Sequence, residues 1–124
     1  MKMDERKVGR VMVLDLSGRI VAGEGTALLR NAIADLTARG EENIVLNLAR
    51  VPYIDSAGIG ELVSSFVAVR RKSGSLKLLN PTRRVREVLE IVKLLTAFQV
   101  FDNEADALAT FGAPQARMPE FVAV

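Results

Sequence analysis

The chain of 124 residues carries 17 basic and 15 acidic residues, a net charge of +2, and is 49% hydrophobic and 26% charged. These are the proportions of one globular domain that buries its own core without disulfides or metal. With no histidine and no cysteine, Ser-His-Asp and Cys-His nucleophilic mechanisms, imidazole or thiolate zinc sites and phosphohistidine relays are all ruled out within one chain.

Lys2–Lys7 is predicted as a short first strand and Val8-Gly9-Arg10 as a turn. Val11–Leu16, β-rich and largely apolar, is predicted as an inner strand that Ser17-Gly18 breaks. After a glycine-rich loop over Arg19–Gly25, Leu29, Ala32, Ile33 and Leu36 recur at helical spacing in a helix predicted from Thr26, with Gly40 placed to end it. Asn43–Leu48 holds consecutive apolar residues, the mark of a strand buried on both faces. Ile59, Leu62, Val63 and Phe66 define a second amphipathic helix, which Gly74 is expected to end. Leu76–Leu79 is predicted as another strand. Thr82 is predicted to cap a helix with Val85, Val88, Leu89 and Val92 on one face. A short core strand is predicted near Phe98–Phe101, and a last helix over Asn103–Phe111 with Asp102 or Asn103 as its cap. The stretch 112–124 contains Pro114 and Pro119, lacks periodicity and is expected to be a poorly ordered tail, with Phe121–Val124 fraying.

Strands alternating with helices imply βαβ units and a mostly parallel sheet, with the first strand antiparallel at one edge. No apolar run approaches the ~18 residues of a membrane span. The charged start Met1–Lys7 is followed by no apolar signal region, so the expected location is the cytoplasm. The charge balance, and the shortage of aromatic residues for base stacking, argue against direct nucleic-acid binding. Arg70-Arg71-Lys72 and Arg83-Arg84 with Arg86 are read as solvated helix ends.

The most informative stretch is Asp55-Ser56-Ala57-Gly58-Ile59-Gly60, between a buried strand and a helix. It puts a serine hydroxyl at a helix N-terminus, where outward N–H groups and the helix dipole tolerate a phosphate. The residues alone leave two roles for Asp55 and Ser56: helix cap or phosphoacceptor. Gly58 and Gly60 stand either for tight packing under the helix or for close approach by a partner, and Ile59 and Leu62 are expected in the core. Gly23-Glu24-Gly25 lacks both the third glycine of a dinucleotide fingerprint and the Gly-Lys-Ser/Thr of a P-loop. Asp15 and Asp55 could form a cation site only by converging, which the sequence does not indicate, so no metal, cofactor or catalytic residue is expected.

From roughly Met1 to Phe111 the chain resembles a STAS domain, specifically the anti-sigma factor antagonists (anti-anti-sigma factors) of bacterial partner switching. The resemblance rests on Val11–Leu16 with Ser17-Gly18-Arg19-Ile20, on Asn43–Leu48, on Tyr53-Ile54-Asp55-Ser56-Ala57-Gly58-Ile59-Gly60, on Leu76–Asn80 and on Arg84–Leu89. It implies an α/β STAS fold over 1–111: a small, mixed, mostly parallel sheet of about four to five strands with about four helices mainly on one face. It further implies a non-enzymatic switch protein. Unphosphorylated, it would bind an anti-sigma factor that is also a serine kinase. It would be released once that kinase phosphorylates Ser56, and a PP2C-type phosphatase would restore it. Asp55–Gly60 would be the partner-binding segment, and a weak homodimer is compatible with this reading. The chain departs from the family at Val21, which stands where many members carry an acid in the first strand–helix loop. The alternatives are a constitutive STAS scaffold, in a signalling assembly or beside a transporter, and a weak nucleotide-binding domain using Gly18–Gly25.

Overall fold

The computed structural model describes residues 1–111, and the predicted tail lies outside the described residues. Strands β1 (Lys2–Val8) and β2 (Val11–Ser17) form an antiparallel hairpin, turned by Gly9 at φ 59°. Next come α1 (Glu24–Ala38), β3 (Asn43–Arg50), α2 (Ser56–Arg71), β4 (Ser75–Leu79), α3 (Arg83–Ile91), β5 (Val100–Phe101) and α4 (Glu104–Ala109). The sheet order is β1-β2-β3-β4-β5, with every pairing after the hairpin parallel. The expected mixed sheet with an antiparallel edge strand is the one observed.

The pleat divides the core. Leu14, Leu16, Ile44, Leu46, Leu48, Leu76 and Leu78 point to one face, where α1 adds Leu29, Ile33 and Leu36, α2 adds Leu62, Phe66 and Val69, and α3 adds Val85 and Leu89. Val11, Val13, Val45 and Leu79 point to the other face, under Ala107 of α4. Three helices thus cover one face and a six-residue helix covers part of the other. On that second face Lys77 is buried: its ammonium donates to Thr110 Oγ1 at 2.6 Å and lies 4.3 Å from the Phe111 ring centroid. Desolvation pulls its pKa below the ordinary lysine value.

Four predicted boundaries are corrected. Helix α1 starts at Glu24, two residues before Thr26, because its polar first turn adds nothing to the apolar periodicity. Helix α2 is closed by Ser73, in the left-handed region at φ 63°, and not by Gly74. A Cβ on Gly74 would lie 2.4 Å from the Glu42 carbonyl oxygen, so that glycine serves a close backbone approach. Val92 is not on the buried face of α3; it follows the helix and is 45% exposed, because Lys93 at φ 61° turns the chain there. Finally, β5 shrinks to two residues. The Phe98 backbone is in a turn, and its ring packs edge-on against Phe66 at 5.2 Å.

Candidate functional site

Parallel strands place the N-termini of α1, α2 and α3 at one end of the molecule, beyond the strand C-termini. The segment leaving β3 crosses this end. Ile54 bridges Ile20, the Ile20 N–H donates to the Tyr53 carbonyl at 3.1 Å, and the Asp55 N–H donates to the Ile20 carbonyl at 3.3 Å. The loop after β2 and the turn before α2 are therefore one bonded unit.

Asp55, not Ser56, caps α2. Its Oδ1 accepts from the Gly58 N–H at 2.8 Å, and its Oδ2 accepts from the Ala22 N–H at 3.1 Å. The Gly58 and Ala22 amides hold the carboxylate pKa below its ordinary value, so the group is anionic at neutral pH. Ser56 is the first helical residue; its side chain is exposed and makes no hydrogen bond to the described residues. The cap role left open by the sequence thus falls to Asp55, and the Ser56 hydroxyl stays unengaged.

The two glycines part company. A Cβ on Gly58 would lie 2.1 Å from the Ile20 carbonyl oxygen and 2.6 Å from Ile54 Cγ1, so Gly58 is required for packing. A Cβ on Gly60 would meet nothing within 4 Å. Ala57 is exposed, Ile59 is half-buried against the core and Leu62 is fully buried. Helical spacing puts Ser56, Gly60, Val63 and Val67 along one side of α2. The other side faces α1 across a groove lined by Arg30, Ala34, Glu61, Ser64 and Ala68, in which Arg30 Nε donates to Glu61 Oε1 at 3.0 Å.

The Gly18–Gly25 loop is tied to the segment before α2 through its first half. The N–H groups of Gly18, Ile20 and Ala22 donate to the Arg50 carbonyl, the Tyr53 carbonyl and the Asp55 carboxylate. The Val21 carbonyl accepts from the Thr26 N–H at 3.2 Å. Asp15 and Asp55 do not converge. Asp15 faces the α4 side, where Arg6 Nε donates to it at 2.5 Å and Asn47 Nδ2 at 2.8 Å, while Arg6 Nη2 also reaches Glu104 at 2.5 Å. Arg6 lowers the pKa of both carboxylates. No cluster able to hold a metal occurs among the described residues, and no described helix is long and apolar enough to cross a membrane. The sequence reading missed the link from Asp55 to Ala22, since no local pattern marks a carboxylate whose second oxygen serves a distant loop.

The STAS domain profile matches residues 2–107. The chain belongs to the STAS family. Within it, the chain belongs with the anti-sigma factor antagonists. It is 32% identical over 111 residues to BtrV of Bordetella bronchiseptica, assigned as an anti-sigma factor antagonist, covering 90% of this chain and 95% of that protein. Among solved structures, the Thermotoga maritima protein TM1081 superposes with a TM-score of 0.80 at 23% identity, covering 86% of this chain and 92% of that one. SpoIIAA in its unphosphorylated form superposes at 0.70 and 22% identity, covering 91% of this chain and all of that one. At such identities these superpositions speak for the STAS fold.

Proposed function

We propose that this STAS domain is a phosphorylation-switched antagonist. Unmodified, it binds an anti-sigma factor that is also a serine kinase, through the Asp55–Gly60 turn. The kinase phosphorylates Ser56 and the complex parts; a PP2C-type phosphatase resets it. The protein acts in the cytoplasm as a substrate and a switch, without catalysis of its own.

The observation that carries this reading is the division of labour at the start of α2. Asp55 satisfies the cap, which leaves the Ser56 hydroxyl exposed and unbonded at the first helical position. A phosphate there adds about −1.5 to −2 charge at neutral pH. The helix N-terminus tolerates that charge, so the domain keeps its fold. A partner packed over the same turn does not tolerate it. A coupling of about 1–3 kcal/mol, roughly 5–150-fold in affinity, suffices to exchange partners present at similar concentrations. The open space at Gly60, on the same side as Ser56, supports close approach of a partner backbone, because nothing within the domain requires a glycine there.

Incubation with the cognate kinase and ATP is expected to add one phosphate on Ser56, read by intact mass and peptide mapping. Phosphate on Ser64 or Ser65 with Ser56 unmodified would overturn the proposal. Ser56→Ala is expected to bind the anti-sigma factor persistently and Ser56→Asp weakly. Equal affinities for the two would instead indicate a constitutive scaffold.

A further inference from the structure

At the Ser56 end, on the side of α2 and α3, the carboxylates are engaged and several cations are not; the unpaired exposed acid of this end among the described residues, Asp106, sits in the first turn of α4 on the other face of the sheet. Three of the engaged carboxylates have cationic neighbours: Glu87 pairs with Arg83, Asp102 with Arg86, and Glu24 lies 3.9 Å from the terminal amine. Asp55 is turned onto two backbone N–H groups. Four exposed cations at this end have no ion pair with the described residues: Lys2, Arg19, Arg50 and Arg84.

Backbone geometry brings them to the same end of the sheet as the Ser56 turn. Lys2 and Arg50 both lie in register with Ser17 at the end of β2, and the Gly18 N–H donates to the Arg50 carbonyl. Arg19 follows Gly18 in the loop bonded to Tyr53 and Asp55. The Arg84 guanidinium lies 5.6 Å from the centroid of the Tyr53 ring, three residues before Ser56. Arg50 feels only a longer-range attraction to Asp15.

The placement of Arg84 works against its helix. Arg70 and Arg71 occupy the last turn of α2, where the dipole favours cations, so those basic residues serve their own helix. Arg83 and Arg84 occupy the first turn of α3, where the dipole disfavours cations, and neither α2 nor α3 has an acid in its first turn. Arg84, an unpaired cation at a positive helix end, is unfavourable in the free domain. It becomes favourable when an anionic surface covers it.

We propose that Arg19, Arg50 and Arg84, with Lys2 at the rim, form a cationic docking surface for an acidic face of the protein's partner. The inference rests on the partner-switching reading and gives the partner a chemistry. It also gives the phosphate a second action: on Ser56 it would neutralise the patch that draws the partner in.

Two measurements test it separately from that reading. First, titration of the unmodified full chain with the anti-sigma factor should give an affinity that falls with salt. Arg84→Glu should weaken it by about tenfold or more, mainly through slower association, while Arg71→Glu at the far end leaves it unchanged. If Ser56→Asp weakens binding but Arg19→Glu, Arg50→Glu and Arg84→Glu do not, the docking surface is overturned and the switch stands. Second, an oligoglutamate peptide titrated into isotope-labelled chain at low salt should shift the amides of Arg19, Arg50, Tyr53 and Arg84. This holds even if the anti-sigma factor does not bind at all. Shifts confined to Arg70–Lys72, no shifts, or larger shifts with a short DNA duplex would overturn the proposal.

Discussion

Asp55 and Gly58 hold the candidate site through geometry that no other residue reproduces. Replacing Asp55 with Ala removes a cap, a change that costs about 1 kcal/mol in comparable helices, and it also frees the Ala22 N–H. The expected result is a lower urea midpoint with an unchanged slope. Gly58→Ala drives a methyl group into the Ile20 carbonyl and is expected to destabilise by about 1–3 kcal/mol. Gly60→Ala meets open space in a helix, so it should stabilise the free domain by about 0.5–1 kcal/mol. Its affinity for the partner should nevertheless fall. A variant more stable yet weaker in binding would separate the two uses of glycine that the sequence left open. The sequence placed both glycines at the helix start but could not say which had backbone above it, because Ile20 comes from another part of the chain.

Helix bodies were legible because burial imposes a 3.6-residue period on α1, α2 and α3. Their ends were less so. Gly40 closes α1 as expected: at φ 83° its N–H donates to the Thr37 carbonyl and that of Glu41 to Leu36. The same hydrogen-bond pattern closes α2 at Ser73 and α3 at Lys93, residues that give no compositional hint of a left-handed turn. Ser73→Gly should relieve that conformation and raise stability by about 0.5–1 kcal/mol, measured by thermal unfolding. Gly74→Ala, one residue on, should destabilise through contact with Glu42 and Val69. The strand expected at Phe98–Phe101 failed for a related reason: an apolar run reports burial, and Phe98 is buried by its ring from a turn and not by sheet pairing.

The two faces of the sheet carry different chemistry. The face beneath α1, α2 and α3 is apolar, whereas the α4 face holds the Arg6, Asp15, Asn47 and Glu104 network. Arg6 lowers the folded-state pKa of Asp15 and Glu104. Below the ordinary carboxylate pKa of about 4 the unfolded chain therefore binds more protons than the native state, and stability is lost as pH falls through the lowered values. Urea midpoints across a pH series should show this decline, and Asp15→Asn should flatten it. One consequence of the Asp55 carboxylate concerns motion. Its two oxygens hold amides from distant parts of the sequence, Ala22 and Gly58. In native-state hydrogen exchange these amides should open in a single cooperative event. The exchange rate of Ala22 would then report, from outside the serine's own helix, whether the turn that presents Ser56 is closed.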